Sequence, residues 1–184
     1  MESKFNKTLK SNLEAICKQF TDKLESITTI APIGTCYLIG HCLAEGLKKA
    51  GYTAREVSGI AIFKDNRGKN IIYGKSRLKG AKIGLYHTWC VVKINGQTIL
   101  LDPSYKYNKI AIKEHYGIKP NRNIPDIIVT DNLIQWNYIF VEDKPAIRIS
   151  KRDLKRTDQS IINKLIDEVE SAALAFLKPN LNLA

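Results

Sequence analysis

Apolar residues recur every three or four positions at Leu9, Leu13, Ile16, Phe20, Leu24 and Ile27, the stripe of an amphipathic helix over residues 6–27. Thr28 to Gly34, with Pro32 inside it, breaks the period. A second helix is predicted to begin at Cys36, with Ile39, Leu43, Leu47 and Ala50 along one side. It should stop at Gly51, the residue type best suited to the left-handed turn after a helix end. From Thr53 to Phe63 the chain turns β-branched and apolar, the mark of a strand, and the polar run 64–70 ends it. A short strand follows at Ile71 to Tyr73, then a glycine-punctuated basic loop over 74–84, then a stronger strand from Leu85 to Ile94. Asn95-Gly96, set between that run and Gln97 to Leu101, is a strong signal for a two-residue hairpin turn.

Past Asp102 the pattern weakens. Residues 103–126 are mixed and yield no element, while Ile127 to Thr130, Trp136 to Glu142 and Ala146 to Ser150 read as strands. A last helix is predicted over residues 158–177, with Thr157 or Asp158 as its cap, Ile162, Leu165, Val169, Ala172 and Phe176 on one face, and Lys178-Pro179 as its stop. No internal repeat or low-complexity tract occurs. Helices at both chain ends around a central antiparallel sheet predict an α+β fold in one domain spanning residues 1–184.

Composition narrows the class. The 184 residues are 44% hydrophobic and 26% charged, enough for one well-formed core and too few for two comfortable domains. No apolar run approaches a membrane span, and the opening MESKFNKTLK lacks the apolar core of a secretory signal, so a cytoplasmic location is expected. The four cysteines, Cys17, Cys36, Cys42 and Cys90, include no CxxC pair, and Cys36, His41 and Cys42 do not match a zinc spacing. Free thiols are predicted, with no metal site. The 29 Lys+Arg against 18 Asp+Glu give a formal net charge of +11, which favours acidic partners. Much of the excess lies in segments 64–82 and 144–156, and neither interleaves aromatic residues as a single-strand binder would. Solvated basic loops are therefore favoured over a nucleic-acid-binding or interaction module, the reading from a different class. The abundance of Lys, Ile and Asn points to an AT-rich bacterial genome.

The hairpin brings candidate chemistry together. If Ile94 pairs with Gln97, counting back places Trp89 opposite Asp102 and His87 opposite Ser104, and alternation puts His87, Trp89 and Asp102 on one face with Cys90 on the other. His87 and Asp102 are then diagonal neighbours, roughly 7–8 Å apart at the backbone and close enough for an imidazole to meet a carboxylate. A histidine acting on a thiol needs its second nitrogen held by such an acceptor, which fixes the tautomer and supports the imidazolium.

Cys36 is the thiol best placed to be acted on. A sulfur at a helix N-terminus feels unpaired backbone N–H groups and the positive end of the helix dipole, both of which favour the reactive thiolate, and the same N–H groups can receive an oxyanion. Gly34, two residues upstream, lets the backbone approach a substrate closely. Cys17 lies beside the apolar stripe of the first helix, and Cys42, six residues beyond Cys36, points to a different side of the second. His41 is no better placed than Cys42, and His115 has no identifiable partner in the sequence.

Three blocks then resemble the transglutaminase-like superfamily of papain-like thiol enzymes, of the bacterial cysteine protease type. They are Gly34-Thr35-Cys36 opening a helix; Gly51-Tyr52-Thr53-Ala54-Arg55 followed by Val57-Ser58-Gly59; and His87-Thr88-Trp89 leading to Leu101-Asp102-Pro103-Ser104. The family pattern has Gly-x-Cys, a helix ending in Gly-Ile-Pro-Ala-Arg before a Val-x-Gly strand, then His-Ala-Trp and Asp-Pro-Thr. Tyr52-Thr53, Thr88 and Ser104 depart from it without removing a catalytic atom. The resemblance covers residues 34–104 and implies a papain-like core, with Cys36 as nucleophile, His87 as general acid/base, Asp102 as its orienting partner, and Gly34, Arg55 and Trp89 in support. It implies thiol-dependent acyl transfer on a protein or peptide amide with no cofactor. Hydrolysis, glutamine deamidation and amine cross-linking all remain open, with hydrolysis preferred as the simplest outcome.

Overall fold

The computed structural model describes residues 6–28 and 31–177. The first amphipathic stripe forms helix α1 (Lys7–Ile27), and Asn6 caps it by accepting from the Thr8 and Leu9 backbone N–H groups. Helix α2 (Cys36–Lys49) begins at the expected cysteine, and Gly51, with φ of 93°, turns the chain after it. Strands β1 (Thr53–Lys64), β2 (Asn70–Tyr73), β3 (Ala81–Gly84), β4 (His87–Ile94) and β5 (Gln97–Asp102) follow in chain order. Asn95 and Gly96, with φ of 51° and 75°, both take the left-handed conformation of a type I′ turn, and Ile94 pairs with Gln97 as the dipeptide predicts.

Three local expectations change. Residues 103–126, which showed no clear period, contain helix α3 (Tyr105–Tyr116), closed by left-handed Gly117. Ala146 to Ser150 is not a strand: it lies in helix α4 (Lys144–Leu154). Only Ala146 and Ser150 of these five residues are buried, a spacing of four that fits a helical face, and Pro145 suits the first turn. The basic loop 74–84 ends in β3, and β4 starts at His87 rather than Leu85. Strands β6 (Ile128–Thr130) and β7 (Tyr138–Glu142) fall inside the expected runs. Helix α5 (Gln159–Phe176) is capped by Asp158, which accepts from the Ser160 N–H; the predicted stop at Lys178-Pro179 lies outside the described residues.

Among the described residues seven strands form one sheet in the order β3-β2-β1-β4-β5-β6, with β7 also on β1. The sheet is mixed rather than wholly antiparallel, because β2 and β3 run parallel. Strand β1 is its spine. Residues 53–59 pair with β4, 61–64 with β2 and 59–63 with β7. Alternation along the strands sorts side chains into two cores. Cys90, Val92, Ile99 and Leu101 pack with α1, α2 and α5 on one side. Trp89, Val91 and Leu100 pack on the other with Phe63, Tyr73, Phe140 and the Tyr105 and Ile112 side chains of α3.

Two glycines set how closely neighbouring elements approach around β4. At Gly40, in α2, a Cβ would lie 2.7 Å from Thr88 Cγ2 and 3.1 Å from the Trp89 carbonyl oxygen, so the helix is seated directly on β4. At Gly59, paired with His87, a Cβ would run into the Val141 carbonyl oxygen, which lets β7 close against the spine.

Candidate active site

Cys36 precedes Gly40 by four residues, about 6 Å along the helix axis. Seating Gly40 on Thr88 and Trp89 therefore carries Cys36 to the start of β4, where His87 stands. Gly34 takes φ of 78°, a backbone conformation that a side chain would strain, and this lets the chain turn into the helix. The Thr35 hydroxyl donates to the Pro32 carbonyl oxygen at 2.6 Å and makes no side-chain cap of α2. The first-turn N–H groups beside the Cys36 sulfur are thus left without a capping side chain. Among the four thiols Cys36 is the one that is partly exposed, whereas Cys17, Cys42 and Cys90 are buried. Burial raises the pKa of all three buried thiols, that of Cys42 to about 12, so they are poor nucleophiles at neutral pH.

His87 and Asp102 meet as the hairpin register requires. His87 Nε2 lies 2.7 Å from Asp102 Oδ2, and both side chains are fully buried. The other carboxylate oxygen, Oδ1, accepts from the Ser104 hydroxyl at 2.5 Å and from the Ser104 N–H at 3.0 Å, so every carboxylate contact points the group at the imidazole. His87 Nδ1 makes no standard hydrogen bond among the described residues, which leaves it as the ring nitrogen free to face the thiol. Burial by itself would lower the imidazole pKa. The charge and hydrogen bond of Asp102, joined by the influence of the nearby Cys36 sulfur, outweigh it and raise the value to about 10. Cys36 and Asp102 thus both act on the same ring.

Four aromatic rings enclose that imidazole. Trp89 stacks at 6.2 Å and 25°, Tyr73 lies at 5.4 Å, Phe140 at 6.0 Å, and Phe63 stands edge-on at 5.9 Å. They keep water from the His87–Asp102 pair, so its charge interaction acts in a low dielectric. Helix α4 braces the other side. Tyr86 Oη donates to Asp153 at 2.7 Å, and the Thr88 hydroxyl bonds both Ser58 and Ser150.

The expected residues separate into two groups. Gly34, Cys36, His87, Trp89 and Asp102 converge. Arg55 does not join them: it forms a two-pronged pair with Glu142, at 3.1 and 3.0 Å, on the exposed surface. His41 is taken up elsewhere, by Glu56 at 2.7 Å. Ser104, Tyr73, Phe63 and Phe140 were not singled out. The Asp-x-Ser turn was a visible signal for the first, but the aromatic rings come from distant strands and carried none. No group of three or more His, Cys, Asp or Glu side chains able to hold a metal ion occurs among the described residues. No helix of the described residues is long and apolar enough to cross a membrane.

No protein-family model matches this chain, and no curated protein matches it. One solved structure, the crystal structure of a genomics target, aligns with 92% of this chain and 82% of its own at a TM-score of 0.52 and 14% identity. At that identity the likeness speaks for the fold alone, and the fold is α+β, built on a mixed sheet with five helices among the described residues.

Proposed function

We propose that this protein is a thiol-dependent acyl-transfer enzyme of the transglutaminase-like, papain-like type, acting on protein or peptide amides with Cys36, His87 and Asp102 as its triad. One observation carries the reading: His87 is held through Nε2 by Asp102 at 2.7 Å while its buried Nδ1 is left unbonded beside the partly exposed thiol that opens α2. A merely structural histidine would satisfy both ring nitrogens.

In the proposed mechanism the proton given up by Cys36 is already held on His87 as the imidazolium, and the sulfur attacks the amide carbonyl carbon. The developing oxyanion is received by backbone N–H groups in the first turn of α2. Collapse of the tetrahedral intermediate breaks the C–N bond, and the imidazolium protonates the departing amine, leaving a thioester on Cys36. Water, deprotonated by His87, then releases the acid and restores the thiol. Hydrolysis is the preferred outcome. Release of ammonia from a glutamine side chain would make the enzyme a deamidase, and an amine in place of water would make it a cross-linking transferase.

Mass spectrometry of candidate proteins incubated with the native enzyme and with Cys36→Ala tests this. Cleavage products, deamidated glutamines or amine adducts that require Cys36 would each identify the reaction. Iodoacetamide should label Cys36 much faster than the other thiols, and His87→Ala should slow it. Equal, slow labelling of all four cysteines would overturn the proposal.

A further inference from the structure

The basic segment 64–82 acquires a location in the fold. Residues 74–80 link β2 to β3, and the first four of them, with β3, Leu85 and Tyr116, line an open cavity of about 610 Å³. Lys75, Arg77 and Lys82 line it, no acidic residue does, and none of the three makes an ion pair among the described residues. Leu85 and Tyr116, exposed at the rim, give it an apolar side. Other basic side chains, such as Lys49, Arg55, Lys106 and Lys109, do have carboxylate partners.

This cavity adjoins the proposed triad through one ring. Gly74 and Gly84, both in its wall, are joined by a backbone hydrogen bond of 2.8 Å and bracket Tyr73. A Cβ on Gly84 would lie 2.5 Å from Tyr73 Cδ1, so glycine allows the wall to rest on the ring, and the same ring lies 5.4 Å from the His87 imidazole. On the other strand the wall residue Leu85 is two positions from His87.

We infer that this cavity is a substrate subsite that takes an acidic peptide segment flanking the amide under attack, with Lys75, Arg77 and Lys82 receiving its carboxylates. The inference deepens the acyl-transfer reading and rests on it. Unpaired cations beside low-dielectric walls focus their field outward, and a guanidinium can grip a carboxylate with two parallel bonds. The aliphatic stems of glutamate side chains would lie against Leu85 and Tyr116. A single-stranded nucleic acid is less well served, since Tyr116 is the one aromatic side chain in the lining.

The test uses two fluorescein-labelled peptides of equal length, one carrying three glutamates and the other three lysines on an otherwise identical alanine-rich background. Anisotropy titrations use Cys36→Ala, so no turnover intervenes. The acidic peptide is expected to bind about tenfold or more tightly than the basic one, and Lys75→Ala/Arg77→Ala/Lys82→Ala should remove most of that preference. A control, Lys113→Ala/Lys119→Ala/Arg122→Ala, loses the same charge at another exposed surface and should keep the preference, which separates a subsite from general attraction to a basic protein. In the native enzyme the acidic peptide should slow iodoacetamide labelling of Cys36, and the first triple variant should abolish that protection. Equal losses in the two triple variants, no protection of Cys36, or tighter binding of an oligothymidylate that displaces the acidic peptide would overturn the subsite. Failure of the acyl-transfer reading would look different: the acidic peptide would still bind and shield Cys36, but no amide would be turned over.

Discussion

Asp102 shows how much chemistry one side chain can set. Its carboxylate is aimed by two bonds from Ser104 and spends its remaining oxygen on His87. Asp102→Asn preserves the volume and removes the charge, so the His87 pKa should fall well below about 10, as followed by imidazole NMR titration. Turnover should fall by roughly 10²- to 10⁴-fold. Ser104→Ala should lower stability by ~1.5–3 kcal/mol in urea unfolding, the scale of a hydrogen bond to a charged group, with a smaller effect on turnover. The raised His87 pKa also makes stability depend on pH. Folding lifts it from an ordinary 6.5 to about 10, so the pairing stabilises the protein fully below pH 6.5 and is lost as pH rises through about 10. The difference in Tm between the native protein and His87→Gln should therefore narrow across that interval. A difference that stays constant over the whole range would mean that the folded protein does not hold the imidazole protonated.

Among the secondary elements, α2 has two glycine seats that separate positioning from stability. Gly40 meets β4 at Thr88 and Trp89, and Gly46 meets α5, where a Cβ would lie 2.5 Å from Val169 Cβ and 2.7 Å from the Ile166 carbonyl oxygen. Alanine at either position gains up to ~1 kcal/mol in helix propensity, but overpacking should outweigh it and leave a net loss of ~1–3 kcal/mol. The two variants should differ in chemistry. Gly40→Ala pushes α2 off the strand that carries His87 and should slow Cys36 labelling beyond what its unfolded fraction explains. Gly46→Ala disturbs the far side of the helix and should leave the folded-state labelling rate near that of the native protein. Urea melts paired with labelling kinetics measure both effects; identical labelling rates would show that the seat on β4 does not set the approach of sulfur to imidazole. The hairpin is a second device at this scale, since its turn fixes which residues of β4 and β5 share a face.

For the molecule as a whole, Cys17 on α1, Cys42 on α2 and Cys90 on β4 all belong to one buried core and are inaccessible in the native state. Their alkylation should proceed at one common rate, that of global opening, and far more slowly than that of Cys36. Faster labelling of Cys17 alone would show that α1 opens separately from the sheet. The pattern of apolar positions is enough to define both terminal helices, the start of α2 at Cys36, strands β1, β2, β4 and β5 and the shared face of His87 and Asp102, because period and turn chemistry act over a few residues; β3 lies hidden in the basic loop 74–84. It does not define α3, whose apolar and polar positions are mixed, or α4, where the five residues from Ala146 to Ser150 are too few to set a period and become a helical face only once Ala146 and Ser150 are buried. Nor could it identify Tyr73, Phe63 and Phe140 as the walls around His87, or gather Lys75, Arg77 and Lys82 around one cavity. Those relations come from strands far apart in the chain, whose pairing depends on packing across the whole sheet, and local spacing carries no record of which distant surfaces will meet.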